Sequence, residues 1–187
     1  MRLAPLPDDQ WDDRARDALA GLLPAHRRNP PGAGNAMATL VRHPDLAEAF
    51  ATFTSYVLMR STLPPRVREL AILRVVRRRD CGYEWAHHAR LAAKAGLDEA
   101  EIEAAGEGKA AAELDAAVLA AVDELDVTSR LSDHTWARLG EHLDERQRMD
   151  LVFTVGAYGL AAMAFNTFGV ELETASPRTT PQSEQRR

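Results

Sequence analysis

The sequence contains one cysteine in 187 residues, Cys81, so no intrachain disulfide can brace the fold. A lone thiol is compatible with a reducing compartment. A basic excess is also missing. The 23 Lys and Arg stand against 28 Asp and Glu, a net charge of −5, which argues against a general nucleic-acid binder. No stretch joins β-branched alternation to turn signals, so no sheet is expected. There is no Gly-rich phosphate loop, no nucleophile elbow and no zinc-ligand spacing. Residues 1–9 lack the apolar run of a secretory signal, and a cytoplasmic location is the expectation. One run, residues 151–170, is free of charge and long enough to span a bilayer. Its glycines at 156, 159 and 169, its Asn166 and its alanines weaken hydropathy and suit close helix packing. It is expected to be a buried or subunit-interface helix, with no membrane partner.

What the chain does have is helix formers. Alanine, leucine, glutamate and arginine dominate a composition that is 45% hydrophobic and 27% charged. The expectation is an all-α fold of about seven or eight helices in one domain, 1–173, followed by a polar, disordered tail at 174–187. Trp11, Ala15, Ala18, Leu19 and Leu22 recur at helical spacing, which predicts a helix over 10–23. Residues 24–34, with three prolines, read as a loop. Asn35 is expected to cap a short helix to 41, and Pro44 to open one reaching about 60. Further helices are expected over 66–79, over 82–95 with Asp80 as its cap, and over 98–105. Others should cover 111–127, a segment capped by Ser132, and 144–168. Gly96 reads as a stop, and Gly106-Glu107-Gly108 as a hinge or loop. Leu63-x-x-Arg66-x-Arg68 is echoed by Leu143-x-x-Arg146-x-Arg148, each ahead of an apolar helix, which hints at two related helical units.

The residues that point to chemistry are Cys81, Glu84 and His88. At i, i+3 and i+7 they share one helix face, so thiol, carboxylate and imidazole can converge. Cys81 falls in the first turn, where backbone N–H groups favour a thiolate, while Glu84 opposes it. Glu84-x-x-His87 has the spacing of di-iron bundle ligands. The second such motif is missing, and His87 points about a quarter turn from His88, so no metal is expected. Arg74, Arg77, Arg78 and Arg79 form a basic run at a helix end. Such a run is usually solvated, the alternative being an anionic substrate or a partner's carboxylate.

Arg68-Glu69-Leu70-Ala71-Ile72-Leu73, then Cys81-Gly82-Tyr83-Glu84-Trp85-Ala86-His87-His88 and Ala95-Gly96-Leu97, resemble the signature of the carboxymuconolactone decarboxylase and alkylhydroperoxidase family. The likeness is closest over about 60–105. In the peroxidase branch a glutamate precedes Cys-x-x-Cys-x-x-x-His. Here Glu69, Cys81 and His88 match, and Glu84 stands at the second cysteine. The decarboxylase branch lacks the cysteine pair and keeps a Glu-x-x-x-His, as in Glu84 and His88.

The resemblance implies the alkylhydroperoxidase-like fold, a homo-oligomer, and cofactor-free acid/base chemistry on a small, anionic molecule, with decarboxylation as the reaction of the family name. His88 would move the proton, Glu84 would orient it or share it, and Glu69 would support them. Tyr83, Trp85 and His87, flanking the motif, are the candidate substrate-binding residues. The alternatives are a peroxidase that oxidises Cys81 to a sulfenic acid and needs an external thiol reductant, since no second cysteine can resolve it, and a non-catalytic ligand-binding or scaffold protein.

Overall fold

The structure is a computed structural model that describes residues 1–173. The tail expected at 174–187 lies outside the described residues. Within them the fold is all-α, nine helices without a strand, the shortest only five residues long.

Local chemistry explains most helix starts. Helix α1, Asp13–Asp17, is capped by Asp12, whose carboxylate accepts from the Ala15 N–H. It is far shorter than the expected 10–23. The remainder turns back in short bends, with Ala18 and Leu19 still buried. The segment read as a loop over 24–34 is a loop only at first. Helix α2, Pro30–Leu40, begins with prolines in its first turn, where a missing N–H loses nothing, and its cap is Asn29 rather than Asn35. Gly34, at φ 76°, kinks it.

Helix α3, Pro44–Ser55, runs into a π-helical turn, Tyr56–Arg60. That wide turn is held from outside. Asp150 accepts from the Tyr56 hydroxyl at 2.7 Å, the Thr62 N–H at 2.6 Å and the Thr62 hydroxyl at 2.7 Å. Burial opposes ionisation of this carboxyl, but the Thr62 and Tyr56 donors outweigh it and lower its pKa.

Helix α4, Pro65–Arg78, is the centre of the molecule. It packs on α5 (Gly82–Lys94), α6 (Glu99–Glu107), α7 (Glu113–Thr128) and α9 (Glu145–Phe168), and buries Val67, Leu70, Ala71, Ile72, Leu73, Val75 and Val76. Its arginines clamp the neighbouring helices. Arg66 reaches Glu101 at 2.6 Å and Asp115 at 2.7 Å, Arg74 reaches Asp123 at 2.6 Å, and Arg78 and Arg79 both reach Asp126 at 2.8 Å. The basic run is thus tied to acids of α6 and α7.

Two further expectations change. Asp80 adopts φ 51° and turns the chain between α4 and α5. Cys81, not Asp80, occupies the N-cap position. The Gly106-Glu107-Gly108 segment is no hinge: α6 continues through Glu107 and ends on left-handed Gly108. Gly106 is required there because a Cβ would meet the Trp85 ring at 2.7 Å. Elsewhere the helix starts are as read. Asp98 and Glu101 form a capping box for α6, Ser132 caps α8 (Asp133–Gly140), and Asp144 with Gln147 caps α9. The two matching hexapeptides lead into α4 and α9, which pack against each other.

Helix α9 contains the uncharged run. Its inner face, including Leu151, Val155, Tyr158, Ala162 and Phe165, is core, while Phe153, Leu160 and Met163 are exposed. By length and composition it could cross a membrane, yet half of its most apolar window is buried inside the protein.

Candidate active site

Helix α4 presents Glu69 to α5, and α5 presents Glu84 and His88 on the face that packs towards α4 and α9. The three side chains form one line. His88 Nδ1 lies 2.7 Å from Glu69 Oε2, and His88 Nε2 lies 3.4 Å from Glu84 Oε2. His88 is 4% exposed and Glu69 1%. Arg68 Nε supports Glu69 from its other oxygen at 3.3 Å. Burial alone would strip the proton from His88. The hydrogen bonds to Glu69 and Glu84 prevail and push its pKa up to about 9. At neutral pH the line is an imidazolium between two carboxyl groups.

This line forms one wall of a cavity of ≈ 130 Å³. Glu84 and His88 open into it with Tyr158 of α9. Thr54 of α3 adds one hydroxyl, and the rest is apolar, with Phe50 of α3, Val57 and Leu58 of the π-helical turn, and Ala157 and Ala161 of α9. The π-turn therefore has a consequence for the site: it brings two apolar side chains to the mouth of the acid/base pair. Among the described residues, no lysine or arginine lines the cavity.

Sequence spacing placed Cys81 with Glu84 and His88, but the structure separates it from the cavity. At the N-cap its side chain is packed in the core, 1% exposed. Burial raises the thiol pKa, and the backbone N–H groups of Glu84 and Tyr83 only partly oppose this. Tyr83, Trp85 and His87 are not cavity residues either. They are off the 84/88 face by up to a third of a turn. The Tyr83 hydroxyl donates to Glu173 Oε1 at 2.8 Å and accepts from the Ala36 N–H. His87 Nε2 lies 3.1 Å from Glu173 Oε2, which turns it away from Glu84 and leaves the Glu84-x-x-His87 motif without a common focus. Trp85 lies beneath the Arg77 guanidinium, 4.3 Å from its ring centre, and against Gly106. Among the described residues, Glu113, Glu141 and His142 are close enough to share a cation. They are exposed and take no part in the cavity.

Reading the sequence missed Tyr158. Its signal was present: the one residue with a polar side-chain tip in the stretch 155–164, otherwise built of alanine, glycine, aliphatics and one methionine. That run was read for packing alone.

Residues 44–127 match the model of the carboxymuconolactone decarboxylase family. No curated protein sequence matches the chain. Solved structures share the fold. A peroxidase-related protein from Ralstonia eutropha JMP134, described as an alkylhydroperoxidase AhpD core, aligns with a TM-score of 0.72 at 16% identity, over 92% of this chain and 94% of its own. A protein of unknown function from Agrobacterium tumefaciens, associated with AhpD-type antioxidant defence, gives 0.64 at 20% identity, over 72% and 95%. The debrominase Bmp8, in a cysteine-to-alanine variant bound to 2,3,4-tribromopyrrole, gives 0.70 at 18% identity, over 92% of each chain. Likeness at these identities speaks for the fold. The segment from α3 into α7, which holds the Glu69–His88–Glu84 line, thus matches the carboxymuconolactone decarboxylase family, and the fold around it is AhpD-like.

Proposed function

We propose that the protein is an enzyme that carries out cofactor-free proton transfer on a small molecule held in the Glu84–His88 cavity. One observation carries the reading: the Glu69–His88–Glu84 line opens into an apolar cavity through Glu84 and His88, the two groups able to exchange a proton. Glu84 takes a proton from the substrate or returns it. His88, charged near neutral pH, steadies the Glu84 carboxylate and recharges it. Glu69 fixes the ring through Nδ1, so that Nε2 faces Glu84. Decarboxylation is one reaction such a pair serves: loss of CO2 from a β-keto-type acid leaves an enolate, which the pair protonates. The expected anionic substrate is less well supported, because among the described residues His88 is the sole cation in the lining. A neutral molecule, or one with a single negative charge at His88, suits the cavity better.

The peroxidase reading of Cys81 draws support from the fold's likeness to AhpD-type proteins, one of which is named for antioxidant defence. Against it stand the burial of the thiol and its raised pKa. The test of the proposal is an untargeted substrate and product screen with the wild type beside Glu84→Gln and His88→Asn. A product made by the wild type should fall by roughly 10²-fold or more in each variant. Because both act on one proton, the double variant should be little worse than either single one. Folded variants with wild-type turnover would move the chemistry away from this pair. Loss of turnover in Cys81→Ala alone would favour the thiol.

A further inference from the structure

Tyr158 has no part in the proton transfer just described, yet it faces the same cavity. It sits in the middle of α9, 4% exposed, its ring edge-to-face with His88 at 4.7 Å between centres. The other two tyrosines have hydroxyl partners: Tyr56 donates to Asp150 and Tyr83 to Glu173. The Tyr158 hydroxyl has none among the described residues. Nor is it one of the sealed, unpaired polar atoms, which are Arg148 Nε and Thr154 Oγ1. Its oxygen therefore keeps some access, and for a side chain this deeply placed the open space is the cavity that it lines. A buried phenol usually finds a partner for its hydroxyl, and packing alone is equally served by phenylalanine.

The surroundings say what that partner is. Burial, and then the charges of Glu84 and Glu69, raise the Tyr158 pKa well above that of an ordinary phenol, so it remains a donor wherever His88 titrates. The ligand group must then be an acceptor. Apart from Thr54, Glu84 and His88, the lining around it is apolar, Phe50, Val57 and Leu58 included. The volume of ≈ 130 Å³ is close to the roughly 150 Å³ of a protein cavity that holds one benzene ring.

We propose that Tyr158 anchors the substrate, its hydroxyl donating a hydrogen bond to the carbonyl oxygen of a neutral molecule about one ring in size. The proposal rests on the cavity being the reaction site. The chemistry closes without a further reactant. Glu84 removes the proton from the carbon beside the carbonyl, the C–H electron pair becomes the C=C bond of an enolate, and the charge collects on the oxygen that Tyr158 holds. Return of the proton from Glu84 restores the ketone. The Tyr158 bond strengthens as that charge develops, which is where a positioned donor acts most strongly.

Cyclohexanone is a suitable probe, with cyclohexane as the matched ring that lacks an acceptor. In the full-length wild type, the bound carbonyl stretch should move to lower wavenumber than in hexane. In Tyr158→Phe it should return towards the hexane position, and affinity should fall about tenfold. Cyclohexane should bind both proteins equally. No binding of cyclohexanone, a hexane-like stretch in the wild type, or an unchanged stretch and affinity in Tyr158→Phe would overturn the proposal. The wild-type spectrum keeps the test decisive even if the variant folds poorly. Exchange of the ring's α-hydrogens in deuterated water reports separately on Glu84. A Tyr158-dependent stretch without Glu84-dependent exchange would keep the anchor and sink the proton-transfer reading, and the converse would sink the anchor alone.

Discussion

At the scale of single residues, the site turns on how His88 shares its proton. Its Nδ1 bond to Glu69 is 2.7 Å and its contact with Glu84 is 3.4 Å, so Glu69 should contribute more to the raised pKa. An NMR titration of the six histidines, with His88→Asn to assign the signal, should show one imidazole titrating near 9. Glu69→Gln should lower that value further than Glu84→Gln. A His88 that titrates below 6.5 in the wild type would show that desolvation prevails over both carboxylates. Cys81 calls for the opposite behaviour. Sealed in the core with a raised pKa, it should react slowly with peroxide and with disulfide reagents, and sustained peroxide reduction without added thiol should be absent. Rapid peroxide consumption lost in Cys81→Ser would overturn this. The i, i+4 spacing of Glu84 and His88 made that pair legible in the sequence. The seating of Cys81 was not, because an N-cap residue leaves the helical geometry, and spacing rules presume that geometry.

At the scale of elements, helix starts were legible where a side chain makes a local bond, as with Asp98, Ser132 and Asp144. Sequence reading failed where tertiary contact decided. The helical pattern over 10–23 was broken after Asp17, and Gly106 was read as a breaker when its lack of a side chain is what lets α6 press on Trp85. That distinction can be tested. In Gly106→Ala a Cβ would meet Trp85 Cη2 at 2.7 Å and Cζ3 at 3.0 Å, and the ring cannot easily retreat from beneath Arg77. Alanine improves helix propensity by about 1 kcal/mol, but overpacking of this kind costs about 1–3 kcal/mol. The net result should be a lower unfolding midpoint in urea. A more stable Gly106→Ala protein would mean that the glycine serves as a flexible break after all.

The same buried line sets a property of the whole molecule. His88 holds its proton more tightly in the folded chain, with a pKa of about 9, than at its ordinary value of 6.5. Below about pH 6.5 both folded and unfolded chains are protonated at His88, and the contribution to stability is complete. Between 6.5 and 9 the unfolded chain releases the proton and the folded chain keeps it, so stability declines with rising pH, and above 9 the contribution is gone. The loss should be on the order of a few kcal/mol, readable as a falling denaturation midpoint, and should vanish in His88→Asn. The outer face of α9 raises a second whole-molecule question. Met149, Phe153, Leu160 and Met163 are each about half exposed or more, and at 100° per residue they fall with Gly156 within one narrow stripe. A contiguous apolar stripe on a soluble surface marks a contact site. The inner face of the same helix is committed to the core, so burial of this stripe against another copy of the chain is the outcome to expect. Sedimentation at micromolar concentration should give a mass above the 20.6 kDa monomer. Leu160→Glu should shift it towards the monomer while leaving the helical spectrum intact. A monomeric wild type would remove the assembly, and pelleting of the wild type with lipid vesicles, lost in Leu160→Glu, would assign the stripe to a membrane surface.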